Sequence, residues 1–109
     1  MESCIFCQIA GGATTPFVYE DEDVVVFRDI QPQAPVHLLV VPRRHLASLN
    51  ETRDERVLGR LLAAARNAAA SVGLSQYRVV VNTGADAGQS VPHLHLHVLG
   101  GRIMAWPPG

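Results

Sequence analysis

The sequence predicts an α+β fold in which an antiparallel sheet of about five strands packs on one main helix. Two observations support this prediction. Short runs rich in β-branched and apolar residues alternate with turn-forming residues along most of the chain. One longer segment, Thr52 to Val72, instead repeats its apolar residues at helical spacing. Because sequential strands joined by short turns pair in opposite directions, the sheet should be antiparallel.

The N-terminal part predicts one short helix followed by three strands. The segment SCIFCQIAGG has the apolar spacing of one or two helical turns and stops at two glycines. The segment FVYEDEDVVVFRD predicts two short strands joined by an acidic turn, Glu20 to Asp23. The run VHLLVVP, Val36 to Pro42, is nearly continuous in apolar residues and therefore predicts a central strand.

The second half predicts the main helix and the last two strands. Thr52 and Glu55 have the spacing of a capping box, and Gly73 is a natural stop after the apolar repeat. The segment YRVVVNTG predicts a strand, ADAGQS a loop of small residues, and HLHLHVLGG the last strand. With 109 residues, a single domain spanning 1–109 is expected.

Composition excludes several classes of function. Apolar residues make up 48% and charged residues 17% of the chain, which is a globular composition. The net charge is −1 and the sequence has no basic stripe, so binding of nucleic acid through its phosphates is not expected. All nine basic residues are arginines, so no lysine is present for a P-loop or a Schiff base. The absence of a signal-like or membrane-spanning segment leads us to expect a cytoplasmic protein without membrane contact.

Three of the five histidines lie in the segment PHLHLHVLGG. Residues i, i+2 and i+4 of a strand share one face at a spacing of about 6.5–7 Å, so His93, His95 and His97 should point the same way. A solvated strand face usually carries threonine, lysine or glutamate, so three histidines favour a nucleophile or a metal site. An imidazole, with a free pKa of about 6.5, is a good nucleophile toward phosphorus when its other ring nitrogen is held.

Cys4 and Cys7 form a C-x-x-C pair that allows three interpretations: a redox pair, half of a zinc site, or two buried thiols. A redox pair usually opens a helix after a strand in a thioredoxin-like unit, and no such pattern follows here. Half of a zinc site needs two further ligands, for which His45 and His93 are the candidates.

The histidine motif, His93 to Leu99, resembles that of the histidine-triad (HIT) superfamily. The segments IFCQI, FRDIQPQAP, LLVVPRRH, VVVNTGADAGQSV and WPPG resemble the Hint branch of that superfamily, so that the resemblance covers nearly the whole chain. The resemblance implies a homodimer with a continuous sheet. It also implies a purine nucleoside phosphoramidase, which cleaves the P–N bond of nucleoside 5′-phosphoramidates.

The resemblance also assigns roles to single residues. His95 matches the nucleophile, which would attack the α-phosphorus and form a covalent nucleotidyl-histidine that water then hydrolyses. His97 matches the position that contacts the phosphate, and Ser90 the position near the leaving group. Asn82 and the backbone of Gly88 to Ser90 would hold phosphate oxygens.

A nucleoside pocket is implied in the same way. The residues at the family's base-binding positions are Ile5, Phe6, Ile9, Phe27 and Ile30. Asp29 would accept hydrogen bonds from both ribose hydroxyls. The five apolar residues could instead be core, and Asp29 could instead form an Asx-turn.

In family members that carry the cysteines, the resemblance implies a closed, structural zinc site that is not required for the chemistry. Its ligands here would be Cys4, Cys7, His45 and His93. Trp106 is expected at or near the dimer interface, with packing on its own subunit as the alternative. His37 matches no catalytic position of the family and is interpreted as structural.

Two other classes of function remain open. One is another histidine-triad enzyme, such as a dinucleoside polyphosphate hydrolase or a nucleotidyltransferase. The third histidine, His97, argues against the transferase, and the WPPG ending argues less strongly against the polyphosphate hydrolase. The other class is a non-catalytic, zinc-stapled dimer that serves as an interaction scaffold.

Overall fold

The computed structural model describes residues 3–12 and 14–109. Its helices and strands, in chain order, are α1 (Ile5–Ala10), β1 (Tyr19–Glu20), β2 (Val24–Arg28), β3 (Val36–Pro42), α2 (Glu55–Ser71), β4 (Tyr77–Val80) and β5 (Leu96–Gly100). The strands form one five-stranded sheet in the order β1-β2-β3-β5-β4, and every neighbouring pair is antiparallel. The predicted α+β fold, with five antiparallel strands and one main helix, is therefore confirmed.

The sheet is covered by a helix on each face, although α2 covers much more of it than α1. One core lies between the sheet and α2, which contributes a leucine and a stripe of alanines that let the helix approach the strands closely. A second core lies between the other face and α1, and includes Phe6, Phe27 and Val41. Strands β2 and β3 are thus buried on both faces, which explains why β3 reads as a continuous apolar run.

Helix α2 begins three residues later than the predicted start, because Asp54 rather than Thr52 is its N-cap. The Asp54 carboxylate accepts a hydrogen bond from the Arg56 N–H at 2.9 Å. Thr52 follows a short 3-10 turn and its hydroxyl donates to the carbonyl of Ser48 at 3.5 Å, so the predicted capping box is wrong. The predicted stop is confirmed, since Gly73 follows the helix with a φ of +81°. Among residues 3–12 and 14–109, neither helix is long and apolar enough to span a bilayer.

The last strand is shorter than predicted, since its pairing begins at Leu96 and leaves His93 and His95 ahead of the ladder. Continuing its register with β3 would place Leu94 opposite Pro42, which has no N–H to donate. The Leu94 N–H donates instead to a loop carbonyl. The predicted alternation nevertheless persists, because the apolar residues that follow each of the three histidines, Leu94, Leu96 and Val98, are all buried in the core under α2.

The C-terminal tail lies along the β4 side of the sheet with its apolar side chains in solvent. The Arg78 guanidinium donates to the carbonyl of Ala105 at 2.8 Å. The side chains of Ile103 and Trp106 are exposed, at 96% and 81% respectively. The tail is thus tethered to its own subunit next to Trp106, but the Trp106 side chain itself is not covered there. Its place in a dimer interface stays a prediction.

Candidate active site and metal site

Two cysteines and two histidines from three parts of the chain form a cluster between the first turn of α1 and the sheet. Cys4 caps the helix, and its sulfur accepts a hydrogen bond from the Cys7 N–H at 3.4 Å, so that one helical turn brings both sulfurs to the same place. His45 follows β3 and His93 precedes β5, and the ligand atoms of all four residues lie within 4.8 Å of one another. These are the four predicted metal ligands.

The distances within this cluster fit a zinc ion. The Nδ1 atom of His93 lies 3.3 Å from the Cys4 sulfur and 3.5 Å from the Cys7 sulfur, while His45 Nδ1 lies 3.1 Å from the Cys7 sulfur. A tetrahedral zinc ion with ordinary bond lengths holds sulfur and nitrogen ligands about 3.5 Å apart. His93 Nε2 lies 2.9 Å from the carbonyl of Pro42, to which it donates, so its Nδ1 lone pair faces the sulfurs.

Electrostatics also favours a cation in this cluster. Burial, and then the hydrogen bond and charge of Cys4, raise the pKa of the Cys7 thiol. The Cys7 thiol therefore resists ionisation until a divalent cation lies beside it. The donor set of two sulfurs and two imidazoles suits zinc and could hold it through four protein ligands.

A second group of potential ligands, Asp29, His37 and His97, is organised as a hydrogen-bonded chain instead. The N–H of Gln33 donates to His37 Nδ1 at 3.0 Å, so the ring proton of neutral His37 resides on Nε2. That Nε2 lies 2.8 Å from His97 Nδ1 and 3.4 Å from Asp29 Oδ2. Because His37 Nε2 is a donor in this tautomer, it has no lone pair to offer a metal ion.

His95 has the tautomer that a nucleophile requires. Its side chain is buried, with 5% exposed, and its Nδ1 lies 2.7 Å from the carbonyl oxygen of His93. A carbonyl only accepts, so Nδ1 carries the proton and the Nε2 lone pair is free. The ring of Phe6 packs edge-on against the His95 ring at a centroid distance of 5.1 Å, which limits its rotation.

His97 stands beside His95, with ring centroids 5.0 Å apart, and is held as a neutral donor. Its Nδ1 accepts the proton of His37, so its own proton resides on Nε2. Burial, followed by the neighbouring imidazoles of His95 and His37, lowers the pKa of His97 to about 4, although Asp29 acts in the opposite direction. His97 therefore offers an N–H rather than a positive charge near neutral pH.

The loop before the histidines is held by the side chain of Gln89. Its Oε1 accepts from the N–H of Gly84 at 2.9 Å, while its Nε2 donates to the carbonyls of Ala47 at 2.7 Å and Val91 at 3.0 Å. Gly88 has a φ of +98°, which strongly favours glycine. The amide of Asn82 lies near this glycine, since a Cβ there would be 3.6 Å from Asn82 Nδ2.

Asn82, Gly88 and Ser90 thus belong to one loop, because β4 ends at Val80 and not, as predicted, beyond Asn82. Asn82 is half-buried, whereas Gly88 and Ser90 are exposed. Their contact with a phosphate stays a prediction.

The residues predicted to surround the base occupy quite different environments. Phe6 and Phe27 are buried and pack edge-on, with ring centroids 5.7 Å apart. Ile9 is half-buried in the same core, while 50% of Ile5 and 94% of Ile30 is exposed. The two phenylalanines are core residues in this structure, and the contact of the three isoleucines with a base stays a prediction.

Asp29 forms the Asx-turn that was the alternative to a ribose contact, because its Oδ1 accepts from the Gln31 N–H at 2.8 Å. Its other oxygen, Oδ2, faces His37 at 3.4 Å. Asp29 and Ile30 also line a cavity of about 480 Å³ together with Phe17 and Arg28. The Asx-turn therefore orients the carboxylate, and its binding of ribose stays a prediction.

Sequence reasoning missed the roles of His37 and Gln89. His37 was interpreted as structural, yet its ring contacts His97 directly. The contact arises because His37 pairs with Leu99 in the β3–β5 register, which places His97 diagonally beside it on the same face. Alternation along the two strands would have placed His37 and His97 on the same face of the sheet if the strands had been paired in the right register. No local sequence pattern distinguishes Gln89.

Comparisons with known proteins agree with this fold. A family model described as the HIT domain matches residues 11–104. An uncharacterized HIT-like protein of Synechococcus elongatus is 53% identical over 95 residues, which cover 84% of this chain and 83% of that protein. The structure of a HIT family hydrolase from Legionella pneumophila Philadelphia 1 matches with a TM-score of 0.91 and 47% identity, covering 97% of this chain and 99% of that one. A histidine triad protein from Clostridium difficile matches with a TM-score of 0.91 and 38% identity, covering 96% of each chain. The chain belongs to the HIT domain family.

Proposed function

We propose that this chain, acting as one domain over residues 1–109, hydrolyses the P–N bond of purine nucleoside 5′-phosphoramidates. The observation that carries the proposal is the tautomer of His95, whose Nδ1–H is bound to a carbonyl while Nε2 keeps its lone pair. A similar protein from Legionella pneumophila is named a HIT family hydrolase, which supports hydrolysis. The choice of the P–N bond rests on the resemblance to the Hint branch.

In the first step, His95 Nε2 attacks the α-phosphorus and the P–N bond breaks, with its electron pair leaving on the amine nitrogen. The Nε2–H of neutral His97 donates a hydrogen bond to a phosphate oxygen, and the leaving nitrogen takes its proton from solvent. Because its pKa is lowered to about 4, His97 is neutral near pH 7 and contributes this N–H rather than a transferable proton. The products are a free amine and a nucleotidyl group bound to His95.

In the second step, water attacks the same phosphorus and the bond to His95 Nε2 breaks, returning its electron pair to the ring. The attacking water gives its proton to solvent, the N–H of His97 stays on a phosphate oxygen, and a nucleoside monophosphate leaves. The loop of Asn82, Gly88 and Ser90 would hold the phosphate oxygens in both steps, and Asp29 would bind the ribose.

Zinc has no part in these steps. When bound by Cys4, Cys7, His45 and His93, it would supply folding free energy by joining α1 to the sheet. Four protein ligands leave no open position for substrate.

Hydrolysis of adenosine 5′-phosphoramidate by the wild type and by His95→Ala tests the proposal. The wild type should release adenosine monophosphate, and the variant should lose several powers of ten in rate. Equal activity of the two proteins would rule out His95 as the nucleophile.

Dinucleoside polyphosphates, assayed in parallel, distinguish the other histidine-triad hydrolases. A scaffold without catalysis would turn over neither substrate, whether or not adenosine monophosphate raised its melting temperature.

A further inference from the structure

His93 belongs to both the metal cluster and the active site, and this shared position carries an inference about the nucleophile. Its side chain is fully buried, and Nδ1 faces the sulfurs of Cys4 and Cys7. Its backbone carbonyl is the acceptor for the Nδ1–H of His95. The same residue therefore provides a candidate metal ligand through its side chain and the acceptor that fixes the tautomer of the nucleophile through its backbone.

The carbonyl of His93 lies outside the regular strand ladder. Pairing of β5 with β3 begins only at Leu96, so the ladder does not set the direction of this carbonyl. The segment is held instead by a short turn to Val91 and by the Leu94 N–H, which shares a peptide plane with this carbonyl and donates to Leu46 at 2.6 Å.

The His93 side chain adds three contacts, to the sulfurs of Cys4 and Cys7 and to the carbonyl of Pro42. The contacts of Nδ1 are to sulfur, and a hydrogen bond to a thiol is weak. A bound metal ion would replace these hydrogen bonds by stronger bonds to the metal.

Phe6 provides a second connection between the cluster and His95. It lies on α1 between Cys4 and Cys7, and its ring packs edge-on against His93 at 6.0 Å and His95 at 5.1 Å. The position of α1 on the sheet therefore sets how closely Phe6 confines the His95 ring. Helix α1 has only six residues and depends on tertiary contacts for its own stability.

We propose that His93 is a positioning residue, through which metal binding at Cys4, Cys7 and His45 fixes the tautomer and orientation of His95. The inference rests on the proposed function for its effect on catalysis, but its structural part does not. Metal would then be dispensable for the chemistry and still change its rate.

The test is a long-range ¹H–¹⁵N spectrum of the protein labelled at histidine nitrogen, recorded at one pH with zinc bound and after removal by a chelator. With zinc, the His95 resonances should show a single Nδ1–H tautomer. Without zinc, they should shift toward an averaged pair of tautomers, while the His45 resonances report that the metal has left. Unchanged His95 resonances in the metal-free protein would overturn the proposal.

A Cys7→Ser variant serves as the second arm, since it weakens the cluster without touching His95, and should reproduce the metal-free spectrum. If removal of zinc unfolds the chain, zinc and cadmium forms are compared instead. The larger cadmium ion moves its ligands, so a shifted His95 resonance supports the proposal and an identical one overturns it.

Catalysis provides a separate readout. With adenosine 5′-phosphoramidate, kcat should fall by roughly tenfold on metal removal and recover when zinc is returned, with little change in KM. A protein inactive toward this substrate in every form would refute the proposed function and leave the spectroscopic result to decide the role of His93.

Discussion

The Nε2 atom of His37 lies 2.8 Å from the Nδ1 atom of His97, and the direction of that hydrogen bond is set by a third residue. The backbone N–H of Gln33 occupies His37 Nδ1, which leaves the proton on Nε2 and makes His37 the donor. The proton of neutral His97 therefore resides on Nε2, on the opposite side of its ring from His37. A histidine outside the H-x-H-x-H motif thus determines the tautomer of one inside it.

Replacing His37 should impair catalysis without abolishing nucleotide binding. In His37→Ala, His97 loses the donor that fixes its tautomer, and we expect kcat to fall roughly 10- to 100-fold with little change in KM. His37→Gln keeps an N–H donor of similar reach and should recover part of the rate. Steady-state kinetics on adenosine 5′-phosphoramidate measures both, and full activity of His37→Ala would show that the hydrogen bond is dispensable.

Stability should fall as the solution is made acidic, because of His97. Its pKa is lowered from 6.5 to about 4 by burial and by His95 and His37, so the unfolded chain binds more protons between these values. The free energy of unfolding therefore decreases as pH falls from 6.5 to about 4, and His37, whose pKa burial also lowers, acts in the same direction. Melting temperatures of the wild type and His97→Gln over this range measure the effect. If the melting temperature of His97→Gln fell equally steeply with pH, the loss of stability would be due to other titratable groups.

Gln89 should hold the loop before the histidines. Gln89→Glu replaces the donors to Ala47 and Val91 by carboxylate oxygen, so that two carbonyls face an acceptor. We expect a loss of about 1–3 kcal/mol in the free energy of unfolding, together with a lower kcat/KM. Urea denaturation and kinetics measure the two effects, with Gln76→Glu on an exposed turn as the matched control. If both variants had the same free energy of unfolding and the same kcat/KM, Gln89 would not be needed to hold the loop.

The exposed apolar tail should be covered by a second copy of the chain. Ile103 and Trp106 are exposed at 96% and 81%, which is unusual for two such side chains within four residues. Light scattering should give the mass of a dimer for the wild type and a shift toward monomer for Trp106→Ala. Leu62→Glu, at an exposed site on α2, should remain dimeric. A monomeric wild type would contradict the predicted homodimer.

The fold was predictable because its main elements follow periodic patterns. Burial in the core requires apolar residues at regular spacing, and such spacing is visible in a single sequence. It is present in the apolar runs of β2 and β3 and in the helical repeat of α2. The start of α2 was misplaced because Thr52 and Asp54 are both good N-caps, and only the geometry of the preceding turn distinguishes them. The length of β5 was overestimated because it depends on the partner strand β3, where Pro42 has no N–H to donate toward β5.

The cluster of Cys4, Cys7, His45 and His93 was predictable because cysteines and histidines are easily recognised in the sequence, and the resemblance grouped these four. The neighbours of His97 were not, because a contact between residues 60 positions apart requires the register of β3 with β5. The same holds for the packing of Phe6 against His95. Sequence patterns and the resemblance supplied the proposed reacting groups, and the structure added the residues that contact and orient their rings.

Trapping the covalent intermediate tests the central claim most directly. The wild type would be mixed with adenosine 5′-phosphoramidate, quenched within one turnover, digested and examined by mass spectrometry. The account predicts one nucleotidyl group, attached to His95 and lost again on longer incubation, and no such group in His95→Ala. Turnover without any covalent adduct, or an adduct on another histidine, would contradict the assignment of His95 as the nucleophile.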